Sequence, residues 1–517
     1  MTSKMEIVAG AHALKDVLNE DASQYHHSRT LIEQRTAILL KDQKLRHMLT
    51  LSYGIKDLFL IGALTHSSML LTGDTDLGKT TLAKLILNSL FGEEEKGWHK
   101  IDIDIESGKD LVVETHLGAI VRGETSDDLY TVNRALLLPG LITDELNRGH
   151  SKVVNSVMHI FDKDITMPNG KRAKLGYEYE PGKRYQFQIA AINEGEDYTG
   201  TFDIDKALRR RTIIEIPMNV FTPTADDRRQ LAESKEIVFG NTTNHLNEVL
   251  AIYRGLDQIK LHENAQLFIA FMEAFDYCEQ SLNREKRSVP DKGGSIYHIC
   301  TKPIYGTDVV CRFIKSFDNE LCPYVRGISP GISRNLVAVA RGVAVLRAVK
   351  FAEFLNTWIA NGASLPDPHA QLGSSLQQYT GTGHHGSDLA KVAFSKYVAE
   401  LEVLPDDVEA VFGFVAYSKV GLASGWVDKH YQGNRFEAVR AFVAQAKEKF
   451  EEGAARRETL EVHGVLGSGL KDDHQRTAFD DYCKRENPWF RRAIEPYRNP
   501  QTNAAASKAQ MEYLYQE

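Results

Sequence analysis

The chain has 517 residues, 42% apolar and 26% charged, with a formal net charge of −8. That length exceeds what one hydrophobic core supports and predicts about two to four domains. The acidic balance excludes a bulk positive field that would draw the whole chain to nucleic acid or to an anionic membrane. Five cysteines, Cys278, Cys300, Cys311, Cys322 and Cys483, form no CxxC pair. An odd count in a chain of this size fits a reduced, cytoplasmic compartment rather than a disulfide framework. The first twenty residues are interrupted by charges too early for a secretory signal. The most apolar stretch, Asn335 to Phe354, carries Arg341, Arg347 and Lys350. It reads as a buried or amphipathic helix, so no membrane insertion is expected.

Residues 1–50 are polar with helical spacing and predict an N-terminal helical segment. Across 51–220, short apolar runs alternate with helical patterns. Strands are predicted at Ser68–Thr72, Lys100–Ile105, Leu141–Thr143 and Phe187–Ile192. That alternation predicts an α/β fold with a parallel sheet covered by helices. Within it, 165–188 carries the turn signal Asn169-Gly170 followed by alternating residues, which predicts one inserted β-hairpin. Residues 221–425 read as mainly helical, with a Gly-, Ser-, Pro- and His-rich loop from Asn361 to Ser387. Residues 426–517 read as a charged, helical C-terminal extension.

The strongest chemical signal is Gly73-Asp74-Thr75-Asp76-Leu77-Gly78-Lys79-Thr80, followed by Thr81. It fits G-x-x-x-x-G-K-[ST] at every fixed position and lies between a strand pattern and a helix pattern. Glycines let the main chain wrap closely, so that amide N–H groups point at phosphates. The following helix presents its N-terminus to the same anion. Lys79 is placed to reach the β and γ phosphates, and Thr80 to offer a hydroxyl to Mg²⁺.

Farther along, the apolar run Leu141-Ile142-Thr143 delivers Asp144-Glu145. Alone, an acidic pair at a strand end is a solvated helix start. Beside a phosphate loop, Asp144 is expected to hold Mg²⁺ through water and Glu145 to orient or deprotonate the attacking water. Ala190-Ala191-Ile192-Asn193 is a third strand ending in a polar side chain, and Asn193 is placed to position that water or to cap a turn. Arg209-Arg210-Arg211 closes a short helical pattern, where arginines either complement the helix dipole or face a neighbouring subunit.

The order of these motifs resembles the AAA+ ATPases. Within them, Asp144-Glu145-Leu146-Asn147-Arg148 is similar to the DEINR block of the MoxR-like branch and its helix-2-insert relatives, which include McrB-like and dynein-related members. The resemblance implies an AAA+ P-loop core over 51–220, a helical lid with large insertions over 221–425, and ATP with Mg²⁺ as cofactors. It makes Asn193 the first sensor and Arg210 and Arg211 the candidate arginine fingers, with Arg209 less favoured. Gly331-Ile332-Ser333-Arg334 resembles the start of the second sensor helix, so Arg334 is expected to reach the γ-phosphate of its own subunit. The run Gly200-Thr201 through Ala207-Leu208, and Leu404-Pro405-Asp406-Asp407-Val408, resemble further family segments. The chain departs from the family pattern at Pro139-Gly140 before the acidic pair, at Thr212 after the arginines, and in the spacing of Ser333-Arg334.

The resemblance also implies a homo-hexamer acting on a protein client, in this family often a protein with a von Willebrand A domain. Three function classes compete: a remodelling ATPase, a McrB-like nucleic-acid motor of a restriction or defence complex, and a non-catalytic nucleotide-binding scaffold. Lys79, Thr80, Asp144 and Glu145 argue against the scaffold. The acidic charge disfavours nucleic acid. The predicted hairpin is basic, with Lys171, Arg172, Lys174, Lys183 and Arg184 among Tyr177, Tyr179 and Tyr185. It reads either as a solvated hairpin or as a pore-facing element that grips a substrate chain or nucleic acid. His384-His385 lack ligand-spaced partners, and His298 with Cys300 reads as a satisfied pair rather than a metal site.

Overall fold

The runs Met69–Thr72 and Phe187–Ala191 at the middle of the central sheet are buried on both faces, which strands tolerate only between covering helices. In a computed structural model, the backbone is described for residues 2–21, 53–75, 77–103, 111–116, 129–148, 151–193, 206–218, 243–262, 330–360 and 397–412, with isolated positions between 265 and 447. Helices α1 (Lys4–Asp21) and α2 (Ile55–Leu64) precede strand β1 (Met69–Thr72). Helix α3 (Lys79–Phe91) leads to β2 (Trp98–Asp102). A small antiparallel pair, β3 (Val113–Thr115) and β4 (Tyr130–Val132), comes before β5 (Gly140–Asp144) and helix α4 (Ser151–Asp162). Then follow β6 (Asp164–Thr166), β7 (Arg172–Lys174), β8 (Tyr177–Glu180), β9 (Lys183–Tyr185) and β10 (Phe187–Ala191). Helix α5 (Lys206–Arg211), β11 (Ile214–Pro217), α6 (Leu246–Gly255), the two-residue β12 (Val325–Arg326), α7 (Pro330–Ala360), α8 (Pro405–Ala410) and β13 (Gly421–Leu422) complete the described elements.

The main sheet has five strands in the order β11-β1-β10-β5-β2, all parallel. This is the α/β core with a parallel sheet and flanking helices that the sequence predicts. All four predicted strands form, with shifted ends: β2 begins at Trp98, where the indole is buried and its Nε1–H donates to Gly92 O at 2.9 Å. The Pro139-Gly140 departure has a local cause. Pro139 lends only its carbonyl, which accepts from Phe187 N–H at 2.8 Å. A Cβ on Gly140 would lie 2.7 Å from Trp98 Cβ and 3.0 Å from a Phe91 ring carbon. Bulk from β2 and α3 takes the space that a larger residue would need.

Buried amides stitch the sheet to its surroundings. Gln188 Nε2 donates to Ile160 O at 2.7 Å, and Ser68 Oγ donates to Gln188 Oε1 at 2.9 Å. Gln186 Nε2 donates to Leu136 O and Leu138 O at 2.9 and 3.0 Å.

The inserted segment is two hairpins, not the single one expected. β6 pairs with β7 around the Asn169-Gly170 turn, and β8 pairs with β9 around Pro181-Gly182. Between them Leu175 drops into the core and Gly176 N–H donates to Leu136 O at 2.8 Å. A Cβ on Gly176 would meet Tyr185 O at 2.6 Å, so the crossover needs glycine. The second hairpin is docked. Tyr185 is fully buried with its hydroxyl donating to Ala63 O at 2.6 Å, and Tyr179 meets Tyr253 of α6 edge-on.

The chain divides into two units, Met1–Lys260 with Ala338–Glu402, and Leu261–Val337 with Val403–Glu517. The first combines the sheet with α6 and most of α7, segments that the sequence assigns to the lid. The charged residues of the apolar stretch in α7 have partners there. Arg341 donates to Ile259 O at 3.1 Å and pairs with Asp257, Arg347 donates to Glu402 O at 2.7 Å, and Lys350 pairs with Asp57 at 3.1 Å. Among the described residues, no helix is long and apolar enough to cross a membrane. In the second unit, α8 starts at the predicted Leu404-Pro405 turn, with Asp407 accepting from Leu404 N–H at 2.8 Å. Lys447 is buried between Asp406 and Glu409. The predicted loop from Asn361 to Ser387, the His298–Cys300 and His384-His385 pairs, and nearly all of 426–517 lie outside the described residues.

At the N-terminal edge of the sheet, Lys163 turns α4 into β6 at φ 57 and donates to His66 O at 2.7 Å. The His66 ring stacks on Tyr185 at 5.1 Å and lies edge-on to Tyr253. Burial, helped by the Lys163 charge, holds His66 well below its ordinary value. Burial also pulls Lys163 from 10.5 to about 7.

Two predictions follow from this packing. Gly140→Ala should lower the unfolding midpoint, at a cost of about 1–3 kcal/mol for overpacking, measured by thermal or denaturant unfolding. For Lys163, the unfolded chain keeps its proton up to about 10.5 and the folded chain loses it near 7. Between those values the unfolded state binds more protons, so stability rises with pH. Unfolding at a series of pH values from about 7 to about 9 should show this rise, up to about 1 kcal/mol per pH unit, and Lys163→Met should flatten it.

Candidate functional site

Three strand ends converge on one edge of the sheet. β1 is followed by Gly73 at φ 139, and α3 is preceded by Gly78 in the left-handed region at φ 71. Gly78 has no side chain with which to cap α3, so no side-chain hydrogen bond stands between the start of that helix and the loop. Lys79 is buried, and its Nζ donates to Gly73 O at 2.9 Å and Asp74 O at 2.5 Å. The ammonium is thus held over the loop by the loop's own carbonyls. Asp74 and Thr75 are exposed, while Leu77, Gly78, Thr80 and Thr81 are half-buried. Asp76 lies outside the described residues.

β5 brings its acidic pair to the same edge. Thr80 Oγ1 donates to Asp144 Oδ2 at 2.9 Å, joining residues 64 positions apart. Asp144 Oδ1 accepts from Glu145 N–H at 3.1 Å. Glu145 sits at φ 52, which a non-glycine residue adopts at a cost of about 1–2 kcal/mol. Such a conformation persists only where its surroundings fix it. Here Arg148 N–H donates to Glu145 O at 2.9 Å, and Arg148 Nη1 to Glu145 Oε2 at 3.0 Å.

β10 ends at the third position. Asn193 is buried, and its main chain is held by Asn147, whose Nδ2 donates to Asn193 O at 2.6 Å. From the far edge, Lys100 of β2 pairs with Asp102 and lies 3.7 Å from Asp144 Oδ2. Burial pulls the Lys100 ammonium down, but the hydrogen bond to Asp102 and the charges of Asp102 and Asp144 outweigh it, so its pKa is raised. Lys100, Asp102 and Asn147 are members of the site that the sequence reading did not assign. Alternation along β2 puts Lys100 and Asp102 on one face, but only the register Asp102↔Asp144 shows which carboxylate they meet.

The arginines divide. Arg209 donates to the fully buried Glu215 at 2.6 Å. Arg211 makes a two-point pair with Asp162 at the end of α4, at 2.6 and 2.9 Å. The side chains of Arg210 and Arg334 lie outside the described residues, as does the stretch Gly200-Thr201 to Asp205.

These residues fit a nucleoside triphosphate with Mg²⁺. A buried ammonium and an uncapped helix start suit phosphate, and a hydroxyl with a carboxylate oxygen 2.9 Å apart suits a hard cation. No protein-family model matches the sequence, and no curated protein matches it. Among solved structures, the chain is similar to a candidate ATPase from Cytophaga hutchinsonii, with 12% identity, a TM-score of 0.43, and coverage of 83% of this chain and 95% of that one. It is also similar to a full-length MCM homolog from Methanopyrus kandleri, with 12% identity, a TM-score of 0.31, and coverage of 66% and 60%. At such identities and scores, function has to be read from the side chains at the strand ends.

Proposed function

We propose that the chain is an ATP hydrolase of the AAA+ type, resembling the MoxR-like branch, that remodels, matures or activates a protein partner. The observation that carries the reading is the 2.9 Å hydrogen bond from Thr80 to Asp144, made beside the buried Lys79. Two motifs far apart in sequence meet there in the arrangement that phosphate and Mg²⁺ chemistry requires.

In this reading the loop amides and the start of α3 bind the phosphates of ATP, and Lys79 offsets their charge. Thr80 and Asp144 would hold Mg²⁺, which when bound neutralises phosphate charge and orients the terminal group. Glu145 takes a proton from the attacking water or orients it, and Asn193 fixes that water from the neighbouring strand. The products are ADP and phosphate. Arg210 and Arg211 act across the interface of a homo-hexamer, where Arg211 exchanges Asp162 for the neighbour's phosphate, and Arg334 serves its own subunit. The client is a protein, with a von Willebrand A domain protein the first to test, and the compartment is the cytoplasm.

The β6–β7 hairpin is the proposed client contact. Lys171, Arg172 and Lys174 are exposed, whereas Lys183 and Arg184 of the second hairpin are paired with Glu180 and Glu178 at 2.9 Å each. The basic surface is therefore narrower than the sequence pattern implies.

Two experiments decide the reading. Lys79→Ala should lose ATP binding, while Glu145→Gln should bind ATP within about threefold of wild type and hydrolyse it about 10²- to 10⁴-fold more slowly. Normal turnover by Glu145→Gln sinks the assignment. Replacing Lys171, Arg172 and Lys174 together by Ser should leave basal turnover near wild type and remove stimulation by the co-purified client. Stimulation by DNA instead of protein would favour the nucleic-acid motor, and unchanged client stimulation would leave the hairpin a solvated surface feature.

A further inference from the structure

We propose that Asn147 is a positioning residue: its side-chain amide fixes the main chain of Asn193 against the Glu145 turn and so sets the gap in which the attacking water is held. This rests on the ATPase reading above. The observations are local and mutually consistent. The β5–β10 ladder runs from Phe187↔Gly140 to Ala190↔Thr143 and goes no further. On its other side, β10 continues to be held, with Ile192 N–H donating to Leu71 O at 3.0 Å. Toward β5, Asn193 is met by a side chain. Asn147 Nδ2 donates to Asn193 O at 2.6 Å, and Asn193 N–H donates to Asn147 Oδ1 at 3.4 Å. A planar amide thus imitates one more rung of the sheet.

The clamp is buried and anchored. Asn147 is 5% exposed and Asn193 8%. Leu146, between Glu145 and Asn147, is fully buried in the core under β5 and β10 with Leu141, Ala190 and Ile192. The left-handed Glu145 leaves the chain heading into this turn, so the residue that carries the base and the residue that grips the sensor strand are two positions apart. A shift of Asn193 relative to that turn changes the distance between the Asn193 and Glu145 side chains directly. Misplacement by about 1 Å at a reacting centre costs on the order of 10²-fold in rate.

The chemistry of the side chain explains the residue type. The contact needs one donor and one acceptor on a short, planar group. Aspartate offers no donor to Asn193 O, glutamine is longer by one methylene, and serine is too short to span both atoms. A purely structural role, in which Asn147 only satisfies buried polar atoms, predicts lower stability with unchanged chemistry. A positioning role predicts a change in turnover at constant nucleotide affinity.

The experiment compares wild type, Asn147→Asp, Asn193→Ala and the double variant in the full-length chain. Steady-state ATP hydrolysis, equilibrium binding of a fluorescent ATP analogue and the thermal midpoint are measured on each. We expect Asn147→Asp to lower kcat about 10- to 100-fold with analogue affinity within about threefold. In the Asn193→Ala background the same change should lower kcat less than about twofold further, because both substitutions disable one unit. Where Asn147→Asp does not fold, Asn147→Ser is the substitute. Wild-type kcat with a lowered midpoint, or rate losses that multiply in the double variant, would overturn the proposal. Wild-type protein without ATP hydrolysis, or Glu145→Gln with normal turnover, would instead overturn the ATPase reading beneath it.

Discussion

The site depends on β10 being hydrogen-bonded along both edges and buried along its whole length. It pairs in parallel with β1 on one side and β5 on the other, and all five of its residues are buried. The phosphate loop leaves β1, the acidic pair leaves β5, and Asn193 leaves β10 itself. Their spacing is therefore set by two ladder spacings of about 4.8 Å, not by loop conformation. A bulge or a register slip in β10 would carry Asn193 away from Asn147 and from the ends of β1 and β5. Gln186 and Gln188, buried within and beside this strand, bind carbonyls of the segment before β5 and of α4, which resists such a slip.

What was legible in the sequence was what is local in it. The phosphate loop, the acidic pair and the strand before Asn193 each announce themselves within about ten residues, because each is a strand followed at once by chemistry. The strand positions and the parallel α/β class followed from alternation and apolar runs. The contacts that complete the site were not legible. Lys100 and Asp102 sit in a predicted strand with no assigned role until β2 is paired with β5. Asn147 read as part of a block without a task until its amide is seen on another strand's main chain. The two-hairpin insertion escaped because Leu175 and Gly176 look like strand continuation, and only Leu136 O and the Tyr185 main chain make them a crossover. The basic surface was overcounted for a related reason: Glu178 and Glu180 lie within the same eight residues, and pairing across β8 and β9 neutralises two of its five charges.

Several charged groups among the described residues are matched within the chain. Arg209 with Glu215, Arg211 with Asp162, Arg148 with Glu145 and Lys100 with Asp102 are four such pairs. Any role for these arginines toward a phosphate has to compete with a carboxylate already in contact. Arg209 faces the strongest competition, since withdrawing it would take the guanidinium from a fully buried carboxylate.

Helix α4 joins the two ends of the molecule's working half. Ser151 starts it just past the Glu145–Arg148 turn, and Asp162 ends it one residue before β6. Its 12 residues make a rod about 18 Å long. A tilt of about 5° at the Glu145–Arg148 end would carry the far end, and the β6–β7 hairpin rooted there, through about 1.6 Å. Gln188 on the helix carbonyl Ile160 and Arg211 on Asp162 both act near that far end, as a bearing and a tether. A displacement too small to notice at the Glu145–Arg148 turn would in this way be enlarged at the hairpin, and the Arg211–Asp162 pair would limit it for as long as that pair is kept.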